Sequence, residues 1–119
     1  MTDEMKPSER LAALGLELPT VAKPLAAYVP ALRVGDQVWT SGQLPVRDGK
    51  PLYLGKVGGA VTPEQGADCA RQCALNALAA AASVAGGVDQ IKRVVKLVVF
   101  VASDPAFTAR QCLRVALIR

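Results

Sequence analysis

Residues 62–87 read TPEQGADCARQCALNALAAAASVAGG, and the architecture turns on this stretch. Thr62 is a residue type that caps helices, Pro63 suits a first helical position, and Gln65 stands where a capping box needs an amide side chain. The spacing predicts a helix from there to about Ala85, stopped by Gly86-Gly87. Its contact stripe is Ala67, Ala70, Cys73/Ala74, Ala77 and Ala81, with Leu78 beside it. Side chains this small let a helix axis lie close to a flat partner, so the expectation is a helix laid across a β-sheet.

Downstream, IKRVVKLVVFVAS (Ile91 to Ser103) has the β-branched content and alternation of a strand. Val95, Leu97, Val99 and Val101 share one face. Lys92, Val94, Lys96, Val98, Phe100 and Ala102 share the other, which begins charged and turns apolar. A sheet with helices on one face only would keep its outer face polar. Half of this outer face needs cover, and the expected cover is a neighbouring subunit. In the tail, DPAFTARQCLRVALIR, Asp104 serves as N-cap and Pro105 as first helical residue. Ala109, Cys112, Leu113, Ala116 and Leu117 follow at helical spacing.

Upstream, YVPALRVGDQVWTSGQLPV reads as a hairpin: Ala31 to Val34, a Gly35-Asp36 turn, then Gln37 to Ser41. RDGKPLYLGKVGG is a glycine-rich excursion with a short third strand expected around Leu52–Leu54. At the start, Pro7-Ser8-Glu9-Arg10 opens a short helix with Leu11, Leu14 and Leu18 on its apolar side, closed by Pro19.

The bulk numbers narrow the function. A chain of 119 residues makes one domain. Here residues 1–24 are an N-terminal helix and connector, and 25–119 the core. With 51% hydrophobic but only 4% aromatic residues, the core is one of Ala, Val and Leu. There is no base-stacking platform for single-stranded nucleic acid. The net charge of +4 is scattered rather than gathered into a basic patch, so nucleic acid is not the expected partner. There is no histidine, which removes His-based triads and imidazole zinc sites. Cys69, Cys73 and Cys112 have no framework spacing and read as reduced, buried thiols. The N-terminus lacks the pattern of a signal peptide, and no apolar run reaches the roughly 18 residues of a membrane span. The expectation is a soluble, cytoplasmic protein without membrane association.

Taken together, YVPALRVGDQVWTSGQLPV, TPEQGADCARQCALNALAAAASVAGG and IKRVVKLVVFVASDPAF resemble the YjgF/RidA family, also known by endoribonuclease L-PSP-like and translation-initiation-inhibitor-like names. The resemblance covers about residues 8 to 107 and rests on the order and spacing of several motifs. It implies an α+β, chorismate-mutase-like fold of the Bacillus type: a mixed sheet with helices packed on one face. It also implies a homotrimer whose sheets form a central barrel with clefts between subunits. Characterised members hydrolyse reactive enamines or imines to 2-oxo acids and ammonia. Others are described as ribonucleases, or as ligand binders without turnover. No metal or organic cofactor is implied, and the partner is a small molecule bearing a carboxylate.

By the same resemblance, Tyr28 matches the cleft tyrosine before the first hairpin. Ser41 and Gly42 match the strand exit where a hydroxyl and backbone amides meet the ligand. Read without the family, Tyr28 is an amphipathic rim residue, and Ser41 is a strand-exit hydroxyl capping local backbone. Asn76 also matches a family position and reads as structural. The family pattern continues with two further strands, carrying a carboxylate-binding arginine and an acidic residue that helps place water. The expectation is therefore a chain shortened near Phe107, by truncation or an altered frame. Within the tail, ARQCLRVAL echoes an Arg-x-Cys pattern of the later strand, which would make Arg110 the anion clamp and Cys112 its neighbour. The helical spacing of the same segment makes Arg110 and Arg114 solvated helix residues instead.

Overall fold

Both ends of the long helix are closed by the groups the sequence places there. The computed structural model of the protein describes residues 5–21 and 27–108. The Gln65 amide donates to the Thr62 hydroxyl oxygen at 3.2 Å, and the Thr62 amide donates to Gln65 Oε1 at 3.0 Å. This reciprocal pair satisfies two donors that a helix start leaves open. The helix, α2, runs Pro63–Ala85. It ends where Gly86 turns to φ +89° and the Gly87 amide donates to the Ala82 carbonyl at 3.0 Å, a Schellman closure. The buried azimuth of α2 differs from the expected stripe. Gly66, Gln72, Ala79 and Ala80 are the buried positions, while Ala67, Ala70, Ala74, Ala77 and Ala81 are half-buried. With alanine on most sides of the helix, periodicity alone leaves the inward direction open.

An earlier helix, α1, covers Pro7–Ala13. It ends at Gly15 (φ +70°) rather than at Pro19. Gly15 and Leu16 donate to the carbonyls of Ala12 and Leu11 at 3.0 and 2.9 Å, so the glycine closes the helix first and leaves Leu14 exposed.

The first hairpin pairs β1 (Ala31–Val34) with β2 (Gln37–Thr40), antiparallel, with Leu32 opposite Trp39 and Arg33 opposite Val38. Gly35 at φ +59° supplies the turn. The excursion after it is a second hairpin, β3 (Val46–Arg47) with β4 (Lys50–Pro51), not a strand at Leu52–Leu54. Asp48 and Gly49 both have positive φ, +53° and +79°, the pattern of a type I′ turn, and that local preference sets where the chain reverses. The described residues thus hold two separate two-stranded ladders rather than one mixed sheet.

The segment 91–103 departs furthest from expectation. No ladder runs along 91–100 among the described residues. Its end joins Val57 in a parallel bridge at Ser103, where the Val57 amide donates to the Ala102 carbonyl and the Asp104 amide to the Val57 carbonyl, at 2.9 and 2.8 Å. Val94, Val95, Leu97, Val98 and Phe100 are exposed, Phe100 at 94%. Alternation and β-branching favour an extended backbone, but a ladder needs a neighbouring strand as well. Beyond it the Asp104 side chain accepts from the Ala106 amide at 3.0 Å and the Asp104 carbonyl from the Phe107 amide at 2.9 Å, a single turn with no helix through 107–108, where the sequence predicts one to begin. Arg110, and with it the remainder of the expected helix, lies outside the described residues.

The chain divides into two compact units. One comprises Met1–Gly42 and Leu75–Val95. Within it the Ser8 amide and hydroxyl both donate to the Asp89 carboxylate at 2.8 Å, fastening α1 to the 3₁₀ turn Val88–Gln90. The other comprises Gln43–Ala74 and Lys96–Arg119. Buried Val57 and Val61 form its core with Ala67, Val101 and Phe107. Gln72, only 3% exposed, accepts from Arg47 Nε at 2.9 Å, which meets the demand of a buried amide for a partner. Among the described residues no helix is long and apolar enough to cross a membrane.

Two outcomes follow from these contacts. Gly58 sits at φ +88°, and a Cβ there would come within 2.7 Å of Phe107 Cβ. Gly58→Ala therefore combines backbone strain with a clash, and chemical denaturation should show a loss of about 2 kcal/mol or more. The second concerns Asp89, whose carboxyl is held below the ordinary aspartate range, first by the Ser8 amide and then by the Ser8 hydroxyl. A depressed carboxyl contributes stability at higher pH that is lost as pH falls. Exchange protection of the Ser8 amide should hold at neutral pH and fade as pH drops below about 4; Asp89→Asn should weaken it at neutral pH and remove this pH dependence.

Candidate functional site

Ser41 and Gly42, two of the residues the sequence singled out, lie just past the open end of the first hairpin. β1 and β2 run four residues each from the Gly35-Asp36 turn. At the far end the Ser41 amide donates to the Pro30 carbonyl at 2.9 Å, extending the pairing one step past Thr40. Tyr28, half-exposed at 47%, lies two residues before Pro30 on the incoming chain.

The Ser41 hydroxyl also donates to the Pro30 carbonyl, at 3.2 Å. Both Ser41 donors thus address one main-chain oxygen, which is the local-cap role expected of a serine at a strand exit. Gly42 is different. Its backbone lies outside the left-handed region, and a Cβ there would meet nothing within 4 Å. Neither conformation nor packing in this structure calls for glycine at 42. What glycine does leave is bare, approachable backbone.

The hairpin's own arginine is not at this end. Arg33 pairs with Val38, one step from the turn, and its Nε donates to the Gly35 carbonyl at 3.0 Å. A carboxylate held at Ser41–Gly42 would need its cation from elsewhere. Arg110, the sequence-level candidate, lies outside the described residues. Among the described residues no three of His, Cys, Asp and Glu gather as a metal site would require.

Sequence reasoning missed Pro30 as the acceptor that organises this end. The signal was available in Tyr28-Val29-Pro30, since a proline just before a strand brings a carbonyl and no amide to the pairing edge. It also missed Gln72, a polar residue that the alanine pattern of α2 had assigned to no face.

Among the described residues, two short antiparallel hairpins with two helices define an α+β protein whose candidate site is a strand exit. Comparison with known proteins gives the family. Residues 8–107 match the family described as "YjgF/chorismate mutase-like, putative endoribonuclease", and the chain belongs to it. A Trypanosoma cruzi relative, Protein TCP17, is 42% identical over 98 residues, covering 82% of this chain and 61% of that protein. Among solved structures, a "putative endoribonuclease" from Shewanella oneidensis MR-1 is 42% identical with a TM-score of 0.70, covering 76% of this chain and 60% of that one. Atu1372 of Agrobacterium tumefaciens, a protein of unknown function, is 38% identical with a TM-score of 0.79, covering 91% and 66%. The chain thus spans about three fifths to two thirds of the length of these relatives.

The contrast between neighbours is measurable. Ser41→Ala removes the hydroxyl bond to Pro30 and should cost about 1 kcal/mol in urea denaturation. Gly42→Ala should leave stability unchanged or raise it by about 0.4–1 kcal/mol, because it restricts only the unfolded chain. A destabilised Gly42→Ala would show that the glycine serves the fold.

Proposed function

We propose that the protein acts as a YjgF/RidA-type deaminase, hydrolysing reactive enamine or imine intermediates to 2-oxo acids at clefts between the subunits of a homotrimer. Such compounds include 2-iminopropanoate and 2-iminobutanoate. The observation that carries this reading is Gly42: a glycine the fold does not require, set at the strand exit directly after Ser41.

The chemistry asks little of the protein. Water adds to the carbon of the protonated C=N bond to give a carbinolamine. The C–N bond then breaks, ammonia leaves as ammonium, and a 2-oxo acid remains. In this reading Gly42 lets the substrate carboxylate approach main-chain amides, as an anion site made of backbone donors requires. Ser41 Oγ turns from Pro30 toward the ligand, and the Tyr28 phenol helps orient the attacking water. Arg110 supplies the guanidinium for the carboxylate. The exposed Leu32, Val34 and Trp39, together with Val94–Phe100, support association of copies. The setting proposed is the cytoplasm, where thiols such as Cys69 and Cys73 stay reduced.

One observation favours a second reading, a trimer that binds 2-oxo acids without turnover. Both Ser41 donors address Pro30, so neither proton is aimed outward.

The test uses an imino acid generated in the cuvette, with ammonia release followed against the spontaneous rate. Acceleration by the protein, reduced at least tenfold in Gly42→Ala (about 1.4 kcal/mol) without loss of stability, supports deamination. Saturable binding of a 2-oxo acid with no acceleration supports the binder. Cleavage of RNA, with neither of these, would overturn both and favour the activity for which the Shewanella relative is named.

A further inference from the structure

Cys69 and Cys73 lie one turn apart on α2, within Pro63–Ala85, so their side chains share a face. Both are free thiols and half-buried. The main chain of Tyr53 hydrogen-bonds the Cys69 sulfur, so the loop after β4 sits over this end of the pair. Among the described residues no third His, Cys, Asp or Glu completes a cluster around them.

This spacing excludes the simplest product. Residues four apart on a helix hold their Cβ atoms about 5–6 Å apart, whereas a disulfide needs about 3.5–4.5 Å. The pair cannot oxidise to an S–S bond without unwinding the turn between. A single atom that bonds both sulfurs spans the longer gap. The lack of a third ligand disfavours a tetrahedral zinc centre. The state of the thiols narrows the choice further. Burial raises both, and the neighbouring Cys69 adds to it at Cys73, which is pushed up to about 11. At neutral pH both keep their protons, which opposes a cation that must be met by two ready thiolates. The better match is a centre that reacts with neutral thiols and carries their protons away.

We propose that Cys69 and Cys73 form a two-thiol chelation site for a trivalent thiophilic centre of the monosubstituted arsenical class. The step balances without an oxidant. Arsenic remains trivalent, two As–S bonds form, the arsenic–oxygen bond breaks, and the oxygen leaves as water with the two thiol protons. The product staples one turn of α2 beside the buried Gln72 and does not involve the hairpin at Ser41–Gly42.

The probe is phenylarsine oxide, added to the full-length protein under a phosphine reductant. The expected product is one adduct per chain, with the mass of one phenylarsine oxide less one water. It should survive excess glutathione, be stripped by 2,3-dimercaptopropanol, and leave the helical circular dichroism unchanged. Trypsin cuts after Arg71, between the two cysteines, so the adduct should hold peptides 57–71 and 72–92 together. That mapping is made on the unmutated chain and does not depend on any variant folding. Cys112→Ser should behave as the wild type, while Cys69→Ser and Cys73→Ser should lose the adduct to glutathione at least tenfold faster. An adduct on Cys112, two separate single-thiol adducts, release by glutathione from the wild type, or modification only with loss of helicity would each overturn the proposal.

Discussion

A helix built from alanine buries little apolar area per residue, so α2 depends heavily on how its ends are closed. At the start, Thr62 and Gln65 exchange hydrogen bonds. At the finish, Gly86 in the left-handed region brings the Gly87 amide back onto Ala82. Between these closures the helix contributes residues 63–74 to one compact unit and 75–85 to the other. The local cores are small: Val57 and Val61 with their neighbours in one unit, Ala31, Ala79 and Ala80 buried in the other. With little mass in either core, main-chain closure carries a larger share of the definition of the fold than is usual for a larger globule.

Glycine plays two opposed parts in this chain, and separating them bears on function. At Gly58 the backbone is left-handed and Phe107 fills the space a side chain would take. At Gly42 neither condition holds. A glycine demanded by its surroundings reports on architecture. One demanded by nothing in its surroundings leaves open backbone, and in this chain it stands at the strand exit on which the proposed function rests.

What could be read from the sequence was what is encoded within a few residues. The capping box of α2, its glycine stop and the Gly35-Asp36 turn were legible because donor, acceptor and turn residue lie close together in the chain. The same locality explains two errors. Gly15 closes α1 before Pro19 can, and Asp48-Gly49 reverses the chain before a strand at Leu52–Leu54 can form. The segment 91–103 failed for another reason, since β-branched alternation states a preference for extension and is silent about partners. At the candidate site, Tyr28, Ser41 and Gly42 were singled out through family likeness. The engagement of Ser41 with Pro30 was not, because it depends on the register in which the two strands meet.

The fastening of Ser8 to Asp89 crosses 81 residues of chain. A helix as short as α1 does not persist alone in water, and its first turn relies on a carboxylate from the far side of α2. During synthesis on the ribosome, α1 leaves the exit tunnel before both hairpins and α2, and Ser8 waits for the 81 residues up to Asp89 to follow before that carboxylate arrives. An element made before β1, β2 and α2 is thus secured only after them, and its order reports that the downstream half of its unit has already folded.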